Sequence, residues 1–209
     1  MILDNIDKIK SLLKWPDGVF YFVQVIQRKK ENPDLPVSDM KRYQCFITSM
    51  KDLDTHLPRI KKVCCDYNAR AYISILPRSL EKLAKQCLLE YALRVNKALY
   101  NRVWDIPNRV ALSEDIRMSD KKGKPLRMFD VDKKEDVQTI KDFVSGIGIK
   151  VVETIPTING AHIFVEAFNP SLLGGLETKQ EDYILPSGEP FTYRPDCNTI
   201  LYASTSKSL

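Results

Sequence analysis

The sequence predicts an α+β protein of two lobes in one compact body, an N-terminal αβ unit packed on a C-terminal β-α-β-β sheet lobe. Three observations carry that prediction. Runs rich in β-branched and aromatic residues alternate with stretches whose apolar residues recur every three or four positions, so strands and helices are mixed along the chain. Turn chemistry punctuates them, at Pro16-Asp17-Gly18 and at Asn159-Gly160. Between the halves lies an irregular stretch, Tyr100 to Arg127, holding Pro107, Gly123, Pro125 and the charge run Asp120-Lys121-Lys122-Gly123-Lys124. The lobes are therefore placed at 1–104 and 127–209, with a connector over 105–126. The charge run reads as a solvated loop ahead of a phosphate-binding one.

Each element has its own signal. Ile2, Ile6, Ile9, Leu12 and Leu13 predict an opening helix, stopped by Pro16-Asp17-Gly18. Val19 to Gln27 and Arg42 to Thr48 read as two strands, joined through an exposed loop at Lys29–Asp39. Leu53, Leu57, Ile60, Val63 and Cys64 place a helix over Asp52–Tyr67, with Pro58 assigned to its first turn, where proline is tolerated. Ala69 to Leu76 alternates as a third strand. Ser79 is an N-cap for a long helix with the stripe Leu80, Leu83, Cys87, Tyr91, Val95 and Ala98. In the second half Arg127–Val131 is a strand. Val137, Ile140, Phe143, Val144 and Ile147 are one face of a helix that Gly146 and Gly148 end. Lys150–Ile155 and Ala161–Ala167 form a hairpin. Pro170–Leu176 reads as a short helix, Gln180–Pro195 as a surface excursion, Thr199–Ala203 as a last strand of the second lobe, and Ser204–Leu209 as a frayed tail.

Composition narrows the function classes. Hydrophobic content of 44% is that of a globular protein, and a net charge of +5 permits a polyanionic partner without demanding one. Five cysteines without a C-x-x-C pair, beside two histidines, argue against structural zinc and for free thiols in a reducing cytosol. No apolar run approaches the roughly 20 residues that span a bilayer. The expectation is a cytoplasmic protein without a membrane partner. The sequence holds no G-x-x-x-x-G-K-[ST] loop, no G-x-G-x-x-G and no G-x-S-x-G.

The informative chemistry lies between Phe129 and Phe168. Asp130 and Asp132, one residue apart on a strand, point the same way and offer oxygen ligands to a hard divalent cation. Each has a structural alternative: Asp132 as a cap for the helix that follows, Asp130 as the buried partner of a nearby cation such as Arg127. His162 follows a tight glycine turn, as a polar turn residue, a phosphate donor or a general acid.

Strand with D-x-D, helix, strand, then Gly160-Ala161-His162 opening the next strand resembles the archaeo-eukaryotic primase superfamily, the primase-polymerases. The segment Thr154 to Ile163 carries much of the likeness, which spans most of the chain in layout and about ten residues in motif. The resemblance implies an RRM-like second lobe and an active site in the cleft between the lobes. It implies a metal-dependent nucleotidyltransferase acting on nucleic acid with nucleoside triphosphates, alongside replication proteins. Asp130 and Asp132 would hold Mg²⁺ or Mn²⁺ with a third acid, for which Asp196 is the nearest candidate and Asp182 and Glu189 the alternatives. Asp196 sits in Arg194-Pro195-Asp196-Cys197-Asn198 rather than in an apolar strand. His162 would touch the triphosphate, with Arg70, Arg78 and Arg127 as suppliers of further positive charge. The alternatives are a catalytically inactive nucleic-acid- or nucleotide-binding module of the same fold, with Tyr21, Phe46 and Tyr72 as candidate stacking residues, and an accessory protein without a nucleotide site.

Overall fold

The structure, a computed structural model, describes residues 2–36, 38–97, 103–118, 126–179, 182–194 and 196–204. In chain order the strands are β1 (Ile2–Asp4), β2 (Val19–Gln27), β3 (Met40–Ile47), β4 (Arg70–Ser74), β5 (Arg78–Ser79), β6 (Leu126–Val131), β7 (Val151–Pro156), β8 (Ala161–Glu166), β9 (Glu177–Lys179), β10 (Asp182–Ile184), β11 (Pro190–Arg194) and β12 (Asn198–Ser204). The α-helices among the described residues are α1 (Ile6–Leu12), α2 (Met50–Asp66), α3 (Leu80–Asn96), α4 (Ile106–Val110) and α5 (Asp136–Gly146). They form an α+β body on two antiparallel sheets. The first has the order β1-β12-β4-β2-β3 with β5 beside β2, and the second β7-β8-β6-β11-β10-β9.

β2 shows why its composition suits the centre of a sheet. Its residues are mostly apolar on both faces, with the buried Gln24 an exception, because both faces are covered. Tyr21, Val23 and Val25 meet Ile6 and Ile9 of α1 and Leu53, Ile60 and Cys64 of α2. Phe20 and Phe22 meet Ile106 and Val110 of α4, with Leu83, Cys87 and Tyr91 of α3 packed alongside. The core around Tyr21 runs on into the second sheet through Met128, Ile155 and Phe164, so the two sheets share apolar contacts. A separate cluster joins α5 to the other face of the second sheet through Phe129, Val131, Ile140, Val144, Ile163 and Phe191.

The helix caps follow their sequence signals. The Ser49 hydroxyl accepts from the Asp52 amide at 3.1 Å, and the Ser79 hydroxyl accepts from the Lys82 amide at 3.2 Å. Pro58 is not in the first turn: α2 begins at Met50, so the proline lies inside the helix. The residue whose carbonyl loses its helical donor there, Asp54, is exposed, and water can replace the bond.

Four other expectations change. Ile2–Asp4 is a strand rather than the start of a helix, because it pairs with the distant β12. β12 itself belongs to the first sheet, between β1 and β4, so chain order does not partition the sheets. The middle of the connector is structured, since Ile106, Val110, Ala111 and Ile116 are buried beneath β2. Gln180–Pro195 is no surface excursion: β10 and β11 form a hairpin through Gly188, and β11 pairs with β6. The charge run Asp120–Lys124, Ala98 and the tail beyond Ser204 lie outside the described residues. No helix among the described residues is long and apolar enough to cross a membrane.

Candidate functional site

Strand alternation sorts β6 into two faces. Arg127, Phe129 and Val131 turn toward α5, whereas Leu126, Met128 and Asp130 turn toward the first sheet. On β8, Ile163 and Val165 join the α5 cluster, while His162 and Phe164 turn the other way. The register sets Asp130 directly opposite His162. Residues facing each other across antiparallel strands share a side of the sheet. Following the pairings outward, Ile155, His162, Asp130, Thr192, Asp182 and Lys179 form one row across all six strands. The row begins apolar and buried and becomes polar and half-open.

Gly160 makes that register possible. A Cβ at this position would sit 1.8 Å from the carbonyl oxygen of Val131, so only glycine lets the turn before β8 close against the end of β6. The same contact holds the Gly160-Ala161-His162 segment beside the two aspartates.

His162 is 7% exposed, and both its nitrogens are engaged. Nε2 lies 3.3 Å from Asp130 Oδ1, and Nδ1 lies 2.7 Å from Thr199 Oγ1. Thr199 is fully buried on β12, so the imidazole bridges the two sheets. Asn5 makes a second bridge, its Nδ2 donating to the carbonyls of Pro156 at 2.9 Å and Ile200 at 2.8 Å. Burial works to raise the Asp130 carboxyl, but the His162 hydrogen bond and charge, with the Arg194 charge, outweigh it and hold the group below its ordinary value. Asp130 is thus an anion on a half-open polar surface. Acid, imidazole and hydroxyl in line have the connectivity of a nucleophilic triad, but no substrate reaches the buried Thr199 hydroxyl, which excludes acyl transfer through it.

The other candidates are dispersed. Asp132 lies one residue past β6 and is exposed. It does not cap α5, whose N-cap position is Glu135, without a side-chain cap bond. Arg127 faces away from Asp130, donates to the Leu126 carbonyl at 3.3 Å, and its charge acts on Tyr193. Arg70 is spent on a two-point ion pair with Glu31. Arg78 is buried, and its guanidinium donates to the Ser113 carbonyl at 2.8 Å. Asp196 is in the turn before β12, beside Cys197, whose thiol meets the Leu126 carbonyl at 3.3 Å. Leu126 is four residues, roughly 13 Å, back along β6 from Asp130, so Asp196 is at the far end of the strand. Asp182, of the candidate third acids, is on the Asp130 face, hydrogen-bonded to the Thr192 hydroxyl that lies opposite Asp130. Glu189 is tied to Ser187 in the hairpin loop. Of the candidate stacking residues, Tyr21 is buried, with its hydroxyl bonded to Lys14, and Phe46 packs against Phe20 and Phe22. Tyr72 is largely withdrawn from water, and burial pushes its phenol up.

Thr192, Arg194 and Thr199 were not singled out by the sequence. The alternation of Thr192 and Arg194 with the apolar Phe191 and Tyr193 was the available signal for β11. Thr199 had none, because its partner comes from the other sheet.

Among the described residues no three His, Cys, Asp or Glu side chains group closely enough to cage an ion. Mg²⁺, however, is commonly held by one or two carboxylates and completed by substrate phosphates and water. Asp130 is engaged by His162, and Asp132 lies one residue beyond the end of β6. No family model, no curated protein and no solved structure matches the chain.

Proposed function

We propose that the chain is a metal-dependent nucleotidyltransferase of primase-polymerase type, acting on nucleic acid with nucleoside triphosphates. One observation carries the reading: Asp130 and His162, from the two separate motifs, stand opposite each other on the side of the second sheet away from α5. The succession β6-α5-β7-β8, with β11 completing the sheet on the far side of β6, supports an RRM-like lobe.

In this reading Asp130 and Asp132 hold Mg²⁺ or Mn²⁺ together with the phosphates of the incoming nucleotide. The ion would supply charge neutralisation and alignment for in-line displacement. Asp182, two strands from Asp130 and bonded to Thr192, shares that face of the sheet but is not a third ligand. His162 is a positioning residue: buried between Asp130 and Thr199, it orients the carboxylate and keeps it ionised. Lys133 and Lys134, exposed directly after Asp132, supply positive charge where Arg70 and Arg78 do not.

A second reading, an inactive nucleic-acid- or nucleotide-binding module, is favoured by one fact, the engagement of Asp130 by His162. The test is Mn²⁺-dependent incorporation of labelled deoxynucleotides on a primed template. Incorporation by the parent, abolished in Asp130→Ala and Asp132→Ala variants of unchanged fold, supports the enzyme. Binding of nucleotide or DNA without incorporation selects the second reading. Absence of both activities and of both kinds of binding overturns the pair.

A further inference from the structure

The chain holds two histidines, and each stands in a line of acid, imidazole and hydroxyl. In the line through His162 the hydroxyl is buried. The second line, between β3 and the first half of α2, is open. Tyr43 Oη lies 2.6 Å from His56 Nδ1, and His56 Nε2 lies 3.4 Å from Asp52 Oδ1. The Asp52 and His56 side chains are each 30% exposed.

Local sequence builds this line. Asp52 and His56 are four residues apart and share one flank of α2. The helix cap fixes Asp52: its amide donates to Ser49 Oγ, and its Oδ2 accepts from the Thr48 amide at 2.9 Å and from the Thr48 hydroxyl at 3.2 Å. The other carboxylate oxygen is the one beside His56. Tyr43 alternates with Cys45 and Ile47 on the α2 side of β3, which is the last strand of its sheet.

The charges order the protons. The carboxylate favours the ring hydrogen on Nε2, which leaves Nδ1 to accept from the phenol. Burial first, then Cys45, pushes the Tyr43 phenol up, and the Arg59 charge partly offsets them. The phenol is therefore protonated at rest and becomes nucleophilic as the imidazole takes its hydrogen. Arg59 is exposed, and its guanidinium lies 4.7 Å from the centre of the Tyr43 ring. A fork of cationic donors beside the nucleophile suits a phosphodiester, whose negative charge sits on its non-bridging oxygens.

We propose that Tyr43 is a nucleophile toward phosphodiesters, with His56 as its general base, Asp52 orienting that base and Arg59 contacting the phosphate. Oη bonds to phosphorus as its proton passes to His56 Nδ1. The bond from phosphorus to the leaving oxygen breaks, and an alcohol departs with the proton that the imidazole returns. A nitrophenolate departs as the anion, and the imidazole gives its proton to water. The product is a tyrosyl phosphodiester. This chemistry uses none of the residues of the nucleotidyltransferase reading and is tested apart from it.

The probe is bis(p-nitrophenyl) phosphate, incubated with the full chain at neutral pH. The expected result is a burst of p-nitrophenolate stoichiometric with the chain, and a p-nitrophenyl phosphoryl adduct that peptide mass mapping places on Tyr43. Tyr67 is an internal control. It is 42% exposed and has the Arg42 guanidinium 4.5 Å from its ring centre, but both histidines are engaged elsewhere. It stays unmodified. Tyr43→Phe loses the adduct. His56→Gln, which keeps an acceptor for the phenol but no base, slows the adduct ~100-fold or more. Both variants keep the parent circular dichroism spectrum. A parent without an adduct at Tyr43 overturns the proposal. So does labelling of Tyr67 as fast as Tyr43, or an adduct rate unmoved by His56→Gln.

Discussion

The His162–Thr199 contact joins residues from different sheets, and its removal has a calculable effect. In His162→Phe the ring volume is roughly kept but both polar contacts are lost. Thr199 is fully buried, and the bond it loses is 2.7 Å long. A buried hydroxyl left without a partner costs about 1–3 kcal/mol. The Asp130 carboxylate loses its partner too, but its side chain is 29% exposed and the pair is 3.3 Å apart, so solvent limits that loss to at most about 1 kcal/mol. The single variant should therefore be destabilised by roughly 1–4 kcal/mol. Thr199→Val alone strands the imidazole nitrogen and should cost about 1–2 kcal/mol. Combined, the two changes place apolar on apolar, and the double variant should be more stable than the sum implies by at least about 1 kcal/mol. Urea denaturation at neutral pH, read as the midpoint with its slope held equal, completes the cycle. Additivity within about 0.5 kcal/mol would refute the bridge.

Two further outcomes follow from the same region. Gly160→Ala drives a methyl group to 1.8 Å from the Val131 carbonyl, so the turn must separate from β6. Destabilisation at or beyond the top of the ~1–3 kcal/mol overpacking range is expected, and a melting temperature within a degree of the parent would contradict the close approach. Asp130 has a depressed carboxyl, so its stabilisation is fully present above the ordinary carboxylate range and drains away as pH falls through the depressed value. Asp130→Asn should flatten the stability curve below about pH 4 and leave its shape above pH 6 unchanged; an acid limb as steep as the parent's would count against the His162 and Arg194 interactions.

Local signals were sufficient for the strands that carry the two motifs and for the helices beside them. Val19–Gln27 emerges with the limits expected, because β-branched and aromatic residues bounded by Gly18 leave little choice. The strand after Asn159-Gly160 begins where expected, but β7 and β8 are joined by a four-residue loop, 157–160, in which neither Asn159 nor Gly160 takes the positive φ of a two-residue Asn-Gly turn. Ser79 caps α3 as expected, since cap chemistry is local. Where the reading went astray, a distant partner intervened. The prolines and glycine of Gln180–Pro195 made it resemble a surface excursion, yet Phe191 is 1% exposed because β11 docks on β6. Asp196 lies at the far end of β6 from Asp130, whereas Asp182, a weaker alternative in sequence, shares the Asp130 face through the hairpin register.

By itself, then, the sequence determined β2 to β4, the helices α2, α3 and α5, the strands β6 to β8, and the facing direction of Asp130 relative to its strand neighbours. These depend on alternation, caps and turn residues, all of which act over a few bonds. Only the tertiary structure decided that the C-terminal strand inserts into the N-terminal sheet, that Thr199 meets the imidazole, and that Arg70 and Arg78 are consumed elsewhere. Those outcomes depend on which surfaces far apart in the chain bury one another, and no local pattern of residues encodes that pairing.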